Sequence, residues 1–382
     1  MKSSKTNYDF IIVGGGASGL MMAYRMSMDS YFDDKSILIL DKEKKSSNDR
    51  TWCYWQNNDD EWQDVVHKSW QSIIFKSDLY SAKKNITPYQ YKMILSKDFY
   101  DKIWNHLEKQ SNINFKKTVV ENITQLEETA EVITKEETFI SKTVFNSILF
   151  SKEYQNQLKY PYLQQHFVGF FIKTKTDVFD DSTATFMDFS VAQKGNTRFM
   201  YVLPYAKNEA LFEYTLFSQD LLAYDEYKRE IEKYLAEKNI NDYEITAKEQ
   251  GSIPMTSFKF WKNNSKNIIH IGTAGGWSKA STGFTFKNTT KKTAELVTYV
   301  KQNKPLKKFH KIDKYWLYDL LLLDILSEKN HLGASIFAKL FQKNKTNKIL
   351  KFLDEETTLL EEVTIFSKMQ IGLFSKALIK RV

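Results

Sequence analysis

The stretch YDFIIVGGGASGLMMAYRM, residues 8–26, decides how the fold is read. Phe10 to Val13 form a short apolar run without alternation, as a parallel strand buried on both faces does, and Ala17 to Met26 begin a helical pattern. Between them Gly14, Gly16 and Gly19 make a GxGxxG. In such a strand-turn-helix the first glycine permits the tight turn, the second lets backbone approach a pyrophosphate, and the third lets the helix pack on the strand. The amides of the helix N-terminus then face the phosphates. A second apolar strand, SILILDK at 36–42, ends in Asp41, 22 positions after Gly19, where a carboxylate that bonds ribose hydroxyls is expected. These residues serve FAD and NAD alike.

The chain has only 13 glycines in 382 residues, so a cluster of them signals a backbone requirement. A second cluster, Gly272, Gly275, Gly276 and Gly283, lies in NIIHIGTAGGWSKASTGFTFKNT, again between an apolar strand (268–271) and a helix from Lys287 onward. A nicotinamide Rossmann domain needs one fingerprint, whereas FAD enzymes of the hydroxylase type add a late segment, usually containing Gly-Asp, that holds the ribityl-diphosphate and flavin. FAD is therefore favoured as the resident cofactor, with Gly272, Thr273, Gly275 and Gly276 as its late contacts. Thr273 stands where those enzymes have Asp, so the polar contact must come from a hydroxyl or from backbone amides.

Composition narrows the remaining classes. Hydrophobic residues are 42% and charged residues 27%, which excludes a disordered polyelectrolyte and an integral membrane bundle. The apolar run LYDLLLLDIL at 317–326 carries Asp319 and Asp324 and is too short to span a bilayer. One cysteine and six histidines without ligand spacing argue against a disulfide framework and a metal site, so no metal is expected. The net charge of +8 suits nucleic acid, anionic lipid or an acidic substrate. No nucleic-acid module is visible, and a membrane surface is the better of these partners. The first ten residues run into a strand without an apolar leader core, so a cytoplasmic location is expected.

NDRTWCYW at 48–55, FMDFSVAQKGNTRFMYVLPY at 186–205, LFEYTLFS at 211–218 and GTAGGWSKASTGF at 272–284 resemble, in order and spacing, blocks of the lycopene cyclase family. These are membrane-associated flavoproteins that close the end rings of carotenoids, and the resemblance extends from about residue 7 to about residue 370. It implies dinucleotide contacts at Gly14, Gly16, Gly19 and Asp41, the last replacing a Glu common in the family, and cofactor contacts at Arg50 and Thr51. Trp52, Asp188, Tyr214 and Trp277 are the substrate contacts it suggests; Met187 and Gln193 match a block of undefined role. Glu213 matches the acid of a block that often reads E-[ED]-T, with Tyr214 in place of the second acid. ALFEYTLF alternates as a strand, so Leu211, Glu213 and Thr215 share one face and Phe212, Tyr214 and Leu216 the other. On pattern alone Glu213 could face solvent; the resemblance makes it the catalytic residue, either as the acid itself or as a proton relay or cation stabiliser beside a flavin that donates the proton.

The implied activity is that of a lycopene beta-cyclase, an intramolecular lyase (isomerase) that forms gamma-carotene and then beta-carotene from lycopene or a related acyclic carotene. A proton adds to a terminal alkene, the cation is attacked by a neighbouring alkene, and a proton leaves. Such a site needs an acid, negative charge against the cation, and walls against water. Reduced FAD would supply the charge, with NAD(P)H as the reductant; an aromatic content of 15% suits the walls. An FAD-dependent monooxygenase or halogenase acting on an apolar substrate is the alternative.

The expected fold is α/β: an FAD-binding Rossmann-type domain, hydroxylase-like and GR2-type, from residues 6–45, 91–150 and 262–303, interleaved with a β-sheet substrate domain from 46–90 and 151–261. Residues 304–382 are expected to be helical and membrane-proximal, because both the 315–341 stretch and the final KMQIGLFSKALIKRV combine apolar faces with Lys and Arg. Peripheral contact with the inner face of the cell membrane, and with other enzymes of carotenoid synthesis, follows from that reading.

Overall fold

A computed structural model describes residues 5–381. Residues 1–4, part of the stretch examined for a leader, and Val382, the end of the expected helical region, lie outside the described residues.

The opening motif builds the first of three sheets. Lys5–Val13 pairs in parallel with Ile37–Asp41 on one side and Thr138–Asn146 on the other, and Ile37–Asp41 pairs with Ile113–Lys117. Ile37 to Asp41 are all buried, which accounts for their lack of alternation. Thr138–Asn146 continues antiparallel into Ala130–Thr134 and Val120–Gln125, and its last three residues pair in parallel with Ile268–His270. The late glycine segment is thus delivered beside the first one, across some two-thirds of the chain. Helices Ala17–Ser27 and Phe286–Lys301 pack on the same face, with Leu20, Met21, Leu296 and Val297 in one core.

The second sheet has seven strands in the order Tyr243–Met255, Leu163–Thr174, Glu209–Ser218, Thr197–Ala206, Thr183–Asp188, Ser72–Ser77 and Tyr80–Asn85. Its alternation divides it into two working faces. Val168, Phe170, Phe212, Tyr214 and Leu216 pack against Tyr227, Ile231 and Leu235 of helix Tyr224–Glu237. The opposite face is shared between a cavity and the C-terminal helices. A three-stranded sheet, Thr51–Gln56, Gln90–Leu95 and Val66–Trp70, bridges the two larger ones. Residues 91–95, expected at the start of the second cofactor segment, run in this bridging sheet, where Trp52 pairs with Ile94 and Trp55 with Tyr91.

The C-terminal region is helical as expected, but the apolar 317–326 run is not a surface feature. In helix Lys314–Lys329, Leu323 and Leu326 enter the core of the second sheet beside Phe337, Phe341 and Ile349, while Leu321 and Ile325 pack on Ile336 and Ala377. Phe341 stacks on Phe75 with ring centroids 4.4 Å apart. Among the described residues no helix is long and apolar enough to cross a membrane. Leu323 is 0% exposed, so Leu323→Ala is expected to lower the unfolding free energy by about 2–5 kcal/mol in chemical denaturation. A loss below about 1 kcal/mol would mean that this helix is not part of the core.

Candidate active site

Where the three sheets meet lies a cavity of about 430 Å³, lined by both glycine segments and by the inner face of the second sheet. Gly16, Ala17 and Ser18 at the start of the first helix and Thr285 and Phe286 at the start of another form part of its wall, and no side chain caps either helix. Their free N-terminal amides favour an anion there. Gly14 has φ +99°, and a Cβ on it would lie 2.0 Å from Ser147 Oγ, so the turn needs glycine. At Gly16, which lines the cavity, a Cβ would meet nothing within 4 Å, so the protein itself leaves the space beside this backbone open. Asp41 closes the second strand and accepts from the Gly15 amide at 2.5 Å and the Glu43 amide at 3.0 Å.

Thr282, Thr289 and Gln165 line the cavity with buried polar atoms that have no partner among the described residues: two hydroxyls and the Gln165 carbonyl. Buried polar groups are normally paired, so these mark where a polar ligand would bind. Gly283, at φ +71°, keeps clear of Gln165; a Cβ there would stand 2.5 Å from Gln165 Oε1.

At the other end of the cavity the walls are Phe167, Tyr91, Tyr201, Leu203, Leu211 and Phe284, with Cys53 and Glu213 among them. Glu213 accepts from Thr215 Oγ1 at 2.7 Å. A second carboxyl, Glu249, lies behind it, 6% exposed, and accepts from Thr51 Oγ1 at 2.8 Å. Burial and the neighbouring Glu249 hold the Glu213 carboxyl well above the usual carboxylate range. Glu249 is pushed up to about 6 by burial, against the Thr51 hydroxyl, the bond to Glu213 and the nearby Arg50 charge. Both shifts favour a pair that holds a proton, and of the two carboxyls Glu213 is pushed up the more strongly.

The expected residues divide by strand face. Glu213, Arg50, Thr51, Trp52, Gly16, Gly272 and Thr273 line the cavity together. Arg50 sits exposed at its rim and donates to the carbonyls of Asp49 at 2.7 Å and Gln250 at 3.1 Å. Trp52 stacks on Phe286 at 5.3 Å. Gly19 and Gly275 act behind the wall: a Cβ would meet Gly14 O at 1.9 Å and His270 O at 2.2 Å respectively. Gly276, at φ +70°, and Trp277 face a smaller neighbouring cavity instead.

Asp188 and Tyr214, expected at the substrate, are not at the cavity. Tyr214 points to the opposite face because strand neighbours alternate, and bonds Arg198 at 3.3 Å under the Tyr224–Glu237 helix. Asp188 is buried beneath the same helix, bonded by Tyr234 Oη at 2.8 Å and Ser190 Oγ at 2.5 Å. Met187 is core, and Gln193 ties down the adjoining turn through the carbonyls of Phe189, Val191 and Arg198. Glu249 was missed because one acid in TAKEQGSIPM resembles a solvent-facing residue. The signal was Gly169 and Gly251, glycines inside strands, which mark a close approach.

A family model described as lycopene cyclase protein matches residues 9–378, nearly the whole chain. The chain belongs to the lycopene cyclase family. No curated protein matches it by sequence. Among solved structures, a flavoprotein/dehydrogenase from Cytophaga hutchinsonii is similar with TM-score 0.65 at 10% identity, covering 98% of this chain and 100% of that one. A geranylgeranyl bacteriochlorophyll reductase-like protein from Thermoplasma acidophilum gives 0.62 at 12% identity, covering 98% and 99%. The p-nitrophenol 4-monooxygenase PnpA of Pseudomonas putida DLL-E4 gives 0.61 at 13%, covering 99% and 98%. At these identities the likeness establishes the fold that the family shares with such flavoproteins.

The carboxyl pair in this family member has a measurable signature. A carboxyl whose folded pKa is raised keeps its proton while the unfolded chain loses it, so stability falls as pH rises above the unfolded value, near 4.5, toward the folded one. Above pH 6, where Glu249 has ionised, Glu213 alone is expected to contribute a slope of up to about 1.4 kcal/mol per pH unit. Chemical denaturation across pH should show this slope in the wild type and its loss in Glu213→Gln. Equal slopes would mean that Glu213 is already ionised.

Proposed function

We propose that the protein is an FAD-dependent lycopene beta-cyclase, in which Glu213 protonates the terminal alkene of an acyclic carotene. The observation that carries this reading is a buried carboxyl, held well above the usual carboxylate range by burial and by Glu249, on the aromatic and apolar part of the cavity wall, in a chain of the lycopene cyclase family. The donor must be an acid that still holds its proton near neutral pH, and a buried carboxyl beside a second one does so. Tyr91, Tyr201 and Phe284 present aromatic surface to the cation and keep water from it.

FAD fits the other end of the cavity. Gly16 and the first helix N-terminus would take its pyrophosphate, and Gly272 and Thr273, with the unpaired Thr282, Thr289 and Gln165, its polar ring edge; Gly14 makes the turn behind that wall, and Asp41, bonded to the Gly15 amide there, is the residue proposed for the ribose. Bound in reduced form, the flavin supplies negative charge against the carbocation, and NAD(P)H is the proposed reductant. The reaction itself moves no net electrons: the Glu213 O–H breaks as a C–H forms, the ring closes, and a neighbouring C–H gives its proton back. FAD, a reductant and lycopene incubated anaerobically with the protein in liposomes in heavy water should give products isomeric with lycopene apart from deuterium at the rings formed. Glu213→Gln should lower the rate by about 100-fold or more. Oxygen in the product once air is admitted would establish the monooxygenase instead.

Access to a carotene calls for a membrane surface, and the end of the chain offers one. Helices Leu359–Phe366 and Ile371–Ile379 expose Leu359, Leu360 (81%), Val363, Ile371 and Ile379 (76%). Lys380 and Arg381 are paired with Glu328 and Asp324, so the exposed Lys368 and Lys376 supply positive charge beside this patch. The patch is proposed to rest on anionic lipid at the inner face of the cell membrane. The double variant Leu360→Asp, Ile379→Asp is expected to weaken flotation with anionic vesicles on the order of 100-fold. Unchanged flotation would place the contact elsewhere.

A further inference from the structure

The second sheet is arranged so that two acids meet. Strand Leu163–Thr174 runs between the strands of Glu213 and Glu249, and the same residue, Gly169, is the register partner of both. Side chains two strands apart start about 9–10 Å from each other and are normally separated by the one between them. Here that side chain is missing. A Cβ on residue 169 would stand 3.1 Å from Glu249 Cγ, 3.3 Å from Glu249 Oε1 and 2.9 Å from Leu211 Cδ1, so the Glu249 side chain lies across the glycine toward Glu213.

The polar contacts of the pair are complete only if it holds a proton. Thr215 donates to Glu213 Oε1 and Thr51 to Glu249 Oε2. Glu249 Oε1 is buried and meets no N–H or hydroxyl; the carboxyl of Glu213 is the group within bonding reach. With both acids ionised, that oxygen would be unpaired and two like charges would touch. With one proton between them both problems disappear.

We propose that Glu249 is a positioning residue for the reaction: fixed by Thr51, it shares a proton with Glu213 across Gly169, keeps the donor loaded between turnovers and draws the departing proton back. The inference rests on Glu213 being the acid. Glu249 does not line the cavity, so it acts through Glu213. Its negative charge makes Glu213 a weaker acid but a better base, and adds to the field that stabilises the ring cation. The O–H of Glu213 is broken when the alkene takes the proton and restored when the ring gives one up, so the pair ends each cycle as it began.

The groups that face the pair from the surrounding strands are Arg50, Thr51 and Cys53, Tyr91, Tyr201 and Thr215. The Cys53 thiol and the Tyr91 and Tyr201 phenols are all pushed up by burial and stay neutral, leaving Arg50 as the charged neighbour. Replacing Glu249 by an uncharged group should therefore move the ionisation of Glu213 to lower pH.

The test is infrared spectroscopy of the full-length protein as purified. The wild type minus Glu213→Gln difference spectrum is expected to contain the C=O band of a protonated, buried carboxyl at pH 7. In Glu249→Gln that band should be lost at lower pH than in the wild type. Cyclisation by Glu249→Gln should fall 10-fold or more at neutral pH, with part of the loss recovered on acidification, and the alkaline limb of its pH profile should move down. A merely structural role would leave the shape of that profile unchanged. Gly169→Ala, which separates the carboxyls while keeping both, is expected to shift the band in the same direction and serves should Glu249→Gln not fold. Absence of the band at pH 7, or the same titration in both variants as in the wild type, would overturn the proposal. The infrared reading needs no carotene, so a protein that shows the shift yet forms no rings upholds the pair and sinks the cyclase reading.

Discussion

Two carboxyl groups placed against each other inside a sheet impose the main constraint on this protein. Each is costly to bury alone, and two together cannot both be charged. Three features answer that cost: hydroxyls on Thr51 and Thr215, the Arg50 charge at the rim, and a glycine between the acids. Thr51, Gly169 and Thr215 come from residues 51–56, 163–174 and 209–218, with Arg50 just before the first of these strands, so the site exists only once the small bridging sheet has docked on the large one.

The division of the second sheet into two faces follows from the same constraint. The face that carries Tyr214, Phe170 and Leu216 is closed by a single amphipathic helix, with polar pairs such as Tyr234 on Asp188 and Tyr227 on His166 spaced through an apolar layer. The inner face is filled over part of its area by the C-terminal helices and left open over the rest. Leu323, Leu326 and Phe341 pack in the filled part, in one core with Phe75, Phe186 and Phe199 of the sheet. Large aromatic side chains serve both purposes: Phe186 lies 5.9 Å from Phe341 on the filled side and 5.3 Å from Tyr91, which lines the cavity.

Local backbone requirements were legible in the sequence, and so was period-two alternation. Gly14 must turn and Gly19 must let a carbonyl pass, and both needs are met within a few residues of where they are written. Alternation put Glu213 opposite Tyr214, which is enough to exclude Tyr214 from any site that contains Glu213. Three contributions were less legible. Asp188 and Trp277 sit in blocks that resemble the family, yet their environments are set by helix Tyr224–Glu237 and by the late loop. Leucines 320–323 read as an amphipathic surface because nothing local says that two other helices and a sheet will cover them. Glu249 depends on register across two strand pairs, 36 and 80 residues from Glu213 and Gly169, and register is written in no single segment.

The replacement of the family's second acid by Tyr214 acquires a physical meaning from this register. An acid at position 214 would lie on the face that holds Arg198 and Glu226, where Tyr214 now bonds Arg198. It could not reach the cavity without reversing the strand. The second carboxyl near Glu213 comes instead from a strand two places away, where the glycine between leaves room for it. The edge strand Tyr243–Met255 is so placed, and its partner residue is the one position in between that carries no side chain.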